Sequence, residues 1–467
     1  MKEPLRAFLR GHFGAVNEHA PYADELLREF LGLGPLHAFI PTALGGQYQG
    51  AASCLEVVEE TSYWSVPLGL TLGIAGSLFL RPLVRFAAPA VRDAVVGDFL
   101  SGPALGGIMV TEPTGGTDIF SLHTAYTDDG ARLRLRGTKC WAGLTGRAEH
   151  WLVAARLARG DQLTKRLNLV YVPLAAPGVR VETVFDALGL RPIPYGQTRY
   201  EDVEVPRSHL VAVPGQTGLR VIYETLFRTR LGMPAIAAGL CRRLVDEATQ
   251  RVGNRSSFGT LLADYDQVRC RLEELRAKAE INRRLWRFAC LWMDRHEDVA
   301  TDYALVNAAK VVSSETMQTA ADAALQLFAS AGYRASHLVG RAYVDARPFL
   351  IFEGSNDVLD ENTFQAVLGG QGRFDRAAVT AQLARYGLAF PDQVPAAAMA
   401  ALDGPEAGRQ RQQAQLGRLV SWLLVLALLQ HDEVADPDPA DPSATDLGVS
   451  LACRRLAELA AALPYLS

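Results

Sequence analysis

Between residues 106 and about 213 the chain alternates apolar and polar side chains with a period of two, whereas helical periodicity dominates on both sides. The alternation is carried by ARLRLRG, HWLVAARL, LNLVYVPL, VRVETVF and TRYEDVEVP, which are separated by Gly, Pro and Asp. Short segments of this kind predict β-strands joined by turns, in a small antiparallel sandwich or barrel. The chain is therefore predicted to be α+β and mostly α.

The flanking regions predict helices. ADELLREFLGLG near the N-terminus places its apolar residues on one stripe and ends at glycine. From about Leu219 three long periodic segments follow with short connections, which is typical of a helical bundle. A tail then adds an apolar helix, an acidic proline-rich linker and a last helix. We expect four domains, with the bounds 1–105, 106–215, 216–373 and 374–467.

Composition narrows the function classes. The 467 residues are 49% hydrophobic and carry a net charge of -4, so nothing points to a nucleic-acid partner. Six scattered cysteines without a C-x-x-C pair predict neither a metal site nor a disulfide framework. An N-terminus without an apolar core suggests a cytoplasmic protein. The apolar stretches 61–80 and 419–429 are interpreted as buried segments, with no membrane span.

Four short motifs carry groups that could bind a ligand, and each also has an ordinary structural explanation. MVTEPTGGTD (109–118) is either an irregular loop whose backbone approaches a ligand or a plain connection. GTKCWAG (137–143) places Trp141 either in the core or against a planar cofactor. NRSSFG (254–259) either grips a phosphate through Arg255 or caps a helix. FEGS (352–355) makes Glu353 either an acid at a helix start or a base in a dry pocket.

Taken in order, these motifs resemble those of the acyl-CoA dehydrogenase family, and closely its subgroup containing the medium-chain enzyme. They are similar to its TEP-x-x-GSD loop, its G-x-K-x-W strand, its R-x-x-FG flavin motif and its YEGT motif. IPTALGG (40–46) and ALGLRPIPYGQTRYEDVEVP resemble two further family segments. The resemblance implies an N-terminal helical domain, a middle antiparallel β domain and a C-terminal four-helix bundle, here followed by a helical C-terminal extension.

The resemblance also implies FAD as the cofactor. The residues that match the family's flavin contacts are Val110, Thr111, Gly116, Thr117, Trp141, Gly143, Arg255, Ser257, Phe258, Gln326, Ser330, Ser355 and Asp357. In the family, the positions of Arg255, Ser257, Phe258 and Gln326 contact the FAD of a neighbouring subunit. A homodimer or homotetramer is therefore expected.

The activity implied is FAD-dependent α,β-dehydrogenation of an acyl thioester to the 2,3-enoyl thioester. Glu353 matches the base that removes the α-proton, flavin N5 would accept the hydride, and Arg230 matches an arginine beside the catalytic pocket. The substrate would contact Thr117, Thr229, Arg230 and Gly354. Its carrier would be CoA or an acyl carrier protein, and an electron-transfer flavoprotein or oxygen would accept the electrons.

The chain departs from the family pattern near the flavin. Gly143 replaces a hydroxyl residue, Ser330 replaces a glycine, and the tail is longer than usual. These departures suggest a specialised paralogue similar to biosynthetic acyl-carrier-protein dehydrogenases. Two alternatives stay open, namely a flavin monooxygenase or oxidase of the same fold and a flavin-poor, non-catalytic paralogue.

Overall fold

The computed structural model describes residues 2–160, 162–213, 218–369, 373–404, 408–434, 441 and 443–466. The chain divides into two compact units, Met1–Thr229 (unit 1) and Arg230–Ser467 (unit 2). The boundary falls inside one continuous helix. The four predicted domain bounds stay a prediction, and the bound at 215/216 lies among residues that the structure does not describe.

Unit 1 begins with helices. They are α1 (Lys2–Gly11), α2 (Phe13–Val16), α3 (Asp24–Gly32), α4 (Ala51–Trp64), α5 (Val66–Leu72), α6 (Arg81–Phe86) and α7 (Pro89–Ser101). A π-helical segment, Gly73–Leu80, joins α5 to α6 without a break. The run Val66–Phe86 is long and apolar enough to cross a membrane, with a mean hydropathy of 1.4, but 89% of its most apolar window is buried inside the protein. Burial of this kind is what a core helix shows.

A single eight-stranded sheet follows the helices of unit 1. Its strands are β1 (Gly106–Met109), β2 (Ala125–Asp128), β3 (Arg132–Gly143), β4 (His150–Arg159), β5 (Gln162–Pro173), β6 (Val179–Val184), β7 (Tyr195–Pro206) and β8 (Leu210–Val211). The strand order is β6-β7-β3-β2-β4-β5-β8, and β1 pairs with β4. The predicted antiparallel pairing is confirmed along most of this sheet, but β4 pairs in parallel with both β1 and β2.

The π-helical segment packs directly on β1. A Cβ atom at Gly106 would lie 2.1 Å from the ring of Phe79, so only glycine allows this approach. Phe79 is fully buried and stacks on Phe99 and His150, with ring centroids 5.8 and 6.0 Å away. The helices and the sheet of unit 1 therefore share one core.

Unit 2 is helical. The long helix α8 (Gly218–Gly253) enters it from unit 1 and ends at a small hairpin, β9 (Ser256–Ser257) with β10 (Thr260–Leu261). The other helices are α9 (Asp266–Arg295), α10 (Tyr303–Phe328), α11 (Leu338–Ala346), α12 (Asn356–Leu368), α13 (Arg376–Arg385), α14 (Ala396–Leu402), α15 (Gln410–Leu429) and α16 (Ala444–Ala462). The helix α10 is buried on nearly every face, which makes it the centre of the bundle.

The C-terminal extension is part of this bundle. Its helix α15 packs against α9, α10, α12 and α16, and residues 419–429 are all buried, as the sequence predicted. Arg418 of α15 forms ion pairs with Glu315 of α10 and with Asp360 of α12, the latter at 3.9 Å. Within the described residues, the tail therefore covers part of the bundle.

The contact between α12 and α15 depends on Gly417, and replacing it with alanine should lower the stability. A Cβ atom there would lie 1.8 Å from the backbone oxygen of Asp360, so the two helices would have to separate. Overpacking of this kind costs about 1–3 kcal/mol in the free energy of unfolding. Urea unfolding followed by circular dichroism measures the loss.

Gly448→Ala on α16 is the matched control. Its Cβ would lie 3.1 Å from the end of the Leu429 side chain, which can rotate away, and at an ordinary contact distance of 3.8 Å from Ile281 Cγ1. Because alanine favours helices by about 1 kcal/mol over glycine, this variant should equal or exceed the wild type in stability. Equal stabilities of the two variants would show that the α12–α15 contact is loose.

Candidate functional site

The loop that carries Glu353 (residues 352–355, the Glu353 loop) has an unusual backbone. It follows a 3-10 turn, Arg347–Leu350, and ends where α12 begins. Glu353 and Gly354 both have left-handed φ angles, of 55° and 97°. For a residue other than glycine this conformation costs of order 1–3 kcal/mol, and it persists only where neighbours impose it.

Two buried cations impose the conformation in the Glu353 loop. The Arg230 Nε atom donates to the Glu353 carbonyl oxygen over 2.8 Å. Lys310 Nζ donates to the Gly354 carbonyl oxygen over 2.8 Å and to Asn356 Oδ1 over 2.7 Å. Both consecutive carbonyls of the loop therefore point at positive charge inside unit 2.

Gly354 makes room for this arrangement. A Cβ atom at this position would lie 3.2 Å from Arg230 Nη2 and 3.1 Å from Leu359 Cδ2. The family resemblance implies that Gly354 contacts the substrate, and in the structure the position of its missing side chain faces Arg230 and Leu359. Thr229 is buried beside Arg230 on α8. Thus Glu353, Gly354 and Arg230 come together within unit 2, and Thr229 precedes Arg230 on α8.

The Glu353 carboxyl group lies in a dry environment. Glu353 is half-buried as a residue, but its Oε2 atom is inaccessible to solvent and accepts no hydrogen bond from any described residue. Burial raises the pKa of Glu353 to about 7, although Arg230 and Lys310 oppose the shift. A carboxyl group that titrates near neutrality is suited to act as a general base.

The pKa values of two neighbouring ionisable groups, Lys310 and Asp360, are also shifted. Burial lowers the pKa of Lys310 to about 7, and the negative charge of Glu353 opposes this. Burial, and then the charge of Asp357, raises the pKa of Asp360 to about 8. Buried ionisable groups with shifted pKa values are concentrated at functional sites.

The TEP loop (109–118) in unit 1 rests on a buried ion pair. Lys139 Nζ donates to the Val110 carbonyl oxygen over 2.9 Å and to Glu112 Oε1 over 2.8 Å. The Glu112 carboxylate also accepts the backbone N–H groups of His123 and Thr124, at 2.6 and 2.8 Å. These contacts fix the loop at its start, while Thr117 near its end is exposed.

Trp141 is placed for contact with a planar group. It lies on β3 with a left-handed φ of 59°, and 57% of the side chain is exposed. Its ring contacts Phe185, with the centroids 4.5 Å apart. The alternative that Trp141 is ordinary core is therefore wrong, because so large an apolar surface remains uncovered within the chain.

Gly143 lies at the end of the same strand, where the family has a hydroxyl residue. A Cβ atom here would lie 2.7 Å from Ile74 Cδ1. Tyr195 and Ile193 stand at 3.3 and 3.4 Å from the same point. The structure thus explains the glycine, since the buried Ile74 of the π-helical segment takes the space of the missing side chain.

The other predicted flavin contacts lie in unit 2, and those at Arg255, Ser257, Phe258 and Gln326 are the ones expected to reach a neighbouring subunit. In the β9–β10 hairpin Arg255 is exposed, Ser257 accepts a hydrogen bond from Tyr265 through its carbonyl, and Phe258 is 100% exposed. Gln326 and Ser330 are exposed at the end of α10. Ser355 is the N-cap residue of α12, and Asp357 stands in its first turn.

These residues fit FAD on structural grounds. Trp141 offers an exposed aromatic face and Phe258 a fully exposed ring, which are suited to contact with flat ring systems. Gly115, with a φ of 142°, and Gly116 leave the backbone of the TEP loop open to a ligand, with Thr111 adjacent. Arg255 provides a charged donor suited to phosphate.

Sequence reasoning missed the polar residues behind the Glu353 loop. Asn307, Lys310 and Ser314 follow the helical spacing of three and four on α10, and all three are buried. Asn307 donates to the Leu359 carbonyl oxygen, and Asn356 Nδ2 donates to Ser314 Oγ over 3.1 Å. A polar stripe within an apolar helix was the sequence signal that could have revealed them.

Comparisons with known proteins agree with this architecture. Three family models match the chain, described as the N-terminal (residues 1–103), middle (107–203) and C-terminal (216–368) domains of acyl-CoA dehydrogenase. The chain belongs to the acyl-CoA dehydrogenase family, whose members are oxidoreductases that act on CH–CH bonds. The predicted fold and enzyme class are thereby confirmed.

The relatives are distant. The mouse (Mus musculus) mitochondrial short-chain specific acyl-CoA dehydrogenase is 27% identical over 355 residues, which cover 74% of this chain and 85% of the relative. Butyryl-CoA dehydrogenase from Megasphaera elsdenii has a similar structure, with a TM-score of 0.69, 24% identity and coverage of 77% and 95%. The FAD complex of PigA gives a TM-score of 0.68 at 18% identity, covering 79% and 98%. At 24% and 18% identity, these two structural similarities support the fold alone.

Proposed function

We propose that this protein removes hydrogen from the α and β carbons of an acyl thioester, giving the 2,3-enoyl thioester, with FAD as its cofactor. The observation that carries the proposal is Glu353. Its carboxyl oxygen is buried without a hydrogen bond among the described residues, on a strained loop held by two buried cations. A buried carboxylate oxygen without a hydrogen bond raises the free energy of the folded protein. Accepting the α-proton of a substrate would neutralise the charge and remove that cost.

The residues of the chain account for the first bond broken. A thioester makes its α-hydrogen weakly acidic, and Glu353 would take that proton. The Glu353 N–H donates to no described residue, which leaves it available for the thioester carbonyl oxygen as negative charge develops there. FAD, when bound, supplies the acceptor for the β-hydrogen and its electron pair. The residues that would hold FAD include Val110, Thr111, Gly116, Thr117, Trp141 and Gly143.

The remaining partners are part of the same proposal. The other residues that match the family's flavin contacts would also bind FAD, some of them in a neighbouring subunit of a homodimer or homotetramer. They are Arg255, Ser257, Phe258, Gln326, Ser330, Ser355 and Asp357. Thr117, Thr229, Arg230 and Gly354 would contact the acyl thioester. The replacements at Gly143 and Ser330 are the basis for proposing a specialised, biosynthetic member of the family, and the motif resemblance is the basis for proposing a medium-chain-type subgroup. The carrier would be CoA or an acyl carrier protein, the electron acceptor an electron-transfer flavoprotein or oxygen, and the location cytoplasmic.

Anaerobic flavin bleaching tests the proposal. Purified protein with its FAD is mixed with a panel of CoA and carrier-protein thioesters of different chain length and branching. Loss of the absorbance of oxidised flavin, together with formation of the enoyl product, is the expected result. No bleaching with any thioester would refute the dehydrogenase proposal. Oxygen uptake with a reduced nicotinamide and a hydroxylated product would instead favour the monooxygenase alternative.

The pH dependence follows from the protonation of Glu353. Only the ionised carboxylate can accept the α-proton, and its pKa is raised to about 7. We expect kcat/KM to fall as the pH drops below about 7, approaching tenfold per pH unit. Stopped-flow measurement of flavin reduction, over about two pH units on each side of neutrality, gives the dependence of kcat/KM on pH. A midpoint near the ordinary carboxyl pKa would mean that water reaches Glu353.

A further inference from the structure

The hydrogen bonds behind the Glu353 loop come from one helix. Lys310, near the middle of α10, has no exposed surface, and its Nζ reaches the Gly354 carbonyl and the Asn356 side chain at once. Asn356 is the first residue of α12 and is itself held by Ser314, one turn further along α10. Lys310 therefore joins the left-handed turn to the start of α12.

The side chain at position 310 is a lysine in a chain that otherwise uses arginine for most of its basic residues. Only five of the 47 lysine and arginine residues in the chain are lysines. Lys310 and Lys139 are nearly inaccessible, and each donates one hydrogen bond to a loop carbonyl and another to a side-chain oxygen. A compact ammonium group fits between two acceptors where a planar guanidinium is too large.

We propose that Lys310 is a positioning residue for the Glu353 base, acting by holding the Gly354 carbonyl and the start of α12 so that the left-handed turn persists. The inference rests on the proposed function. Without Lys310, the bond from Arg230 Nε to the Glu353 carbonyl would be the remaining side-chain hydrogen bond to the carbonyls of the turn among the described residues. Relaxation would displace the carboxylate from the α-carbon, and a displacement of about 1 Å can lower a rate roughly 10²-fold.

The charges around Lys310 determine how its removal changes the pH profile. Arg230 and Lys310 act on the carboxylate of Glu353, whereas Glu353, Arg230 and Asp360 act on Lys310. Asp357 also acts on Asp360, and Arg418 forms ion pairs with Asp360 and with Glu315. Because a nearby cation favours the ionised carboxylate, loss of Lys310 raises the pKa of Glu353.

Two substitutions separate geometry from charge. Lys310→Met removes the donors and the charge, so we expect kcat for flavin reduction to fall about 10²-fold and the acid limb to move to higher pH. Lys310→Arg keeps the charge but not the geometry, so kcat should fall while the acid limb stays in place. Amide hydrogen exchange in peptides covering residues 350–360 should become faster in both variants, which is a readout independent of the flavin.

Lys278→Met is the matched control, because Lys278 is another buried lysine of unit 2 and pairs with Glu274 on its own helix α9. It should lower thermal stability without changing kcat, the acid limb or exchange at 350–360. The proposal is overturned if Lys310→Met or Lys310→Arg keeps the wild-type kcat and exchange, or if Lys278→Met reproduces their effects. Absence of bleaching in the wild type would instead refute the proposed function, and the exchange data would still test the role of Lys310.

Discussion

Glu353→Gln is expected to abolish flavin reduction by acyl thioesters, with a loss of at least about 10²–10⁴-fold in its rate constant. The amide has nearly the shape of the carboxyl group but cannot accept the α-proton. Arg230 and Lys310 bind backbone carbonyls of the loop and not the Glu353 side chain, so the turn should survive the substitution. Stopped-flow measurement under anaerobic conditions gives the rate constant.

The control for Glu353→Gln is binding. The variant should keep the FAD content of the wild type and should still bind thioesters, detected as a shift of the flavin spectrum without bleaching. Glu273→Gln, at an exposed position of α9, provides a matched loss of one carboxylate outside the buried environment and should retain the wild-type rate. A fully active Glu353→Gln enzyme would show that another group removes the proton.

Glu353→Gln is expected to lower the activity but not the stability of the fold. The pKa of Glu353 is raised in the folded protein, so its ionisation destabilises the fold as the pH rises through about 7. A neutral glutamine removes this penalty. We therefore expect a variant that is inactive yet at least as stable as the wild type above neutral pH, as is common where function conflicts with stability.

Periodicity alone predicted the succession of helices, strands and helices, because burial of one face leaves a period in the sequence. It also identified 419–429 as buried, although not what covers it. The parallel pairing of β4 with β1 and β2 was not predictable in this way, since an alternating pattern specifies which face is buried and not the direction of the neighbour.

The candidate site was predicted less completely. Glu353 stood out because a carboxylate follows an apolar run, and the order of motifs made it a candidate base. Lys310 was missed because a lysine in a helical segment is usually solvated, and the helical spacing that it shares with Asn307 and Ser314 was not recognised as a buried polar stripe. The role of Ile74 beside Gly143 was also hidden, because the two residues are distant in sequence and meet only through packing.

Lys139→Met should destabilise unit 1 by about 3–5 kcal/mol, because it leaves the Glu112 carboxylate buried without its cation. Lys139 has no exposed side-chain surface and Glu112 only 3%. The Val110 carbonyl would lose its donor as well, so the TEP loop should loosen and the FAD content of the purified protein should fall. Urea unfolding and the flavin-to-protein absorbance ratio measure the two effects.

The pH dependence distinguishes this mechanism from a simple loss of packing. Burial disfavours the charge on Glu112, but Lys139 and the hydrogen bonds hold its pKa below the ordinary value, so its stabilising effect is present above that value and is lost as the pH falls. The difference in the free energy of unfolding between wild type and Lys139→Met should therefore become smaller as the pH falls.

Glu112→Gln added to Lys139→Met should restore part of the stability, since no lone charge remains. Arg134→Met, on the same strand β3 as Lys139, breaks an exposed pair with Glu204 of β7 and should have little effect. If the difference stays constant with pH and the double variant is no more stable, Lys139 contributes through its volume and not through its charge.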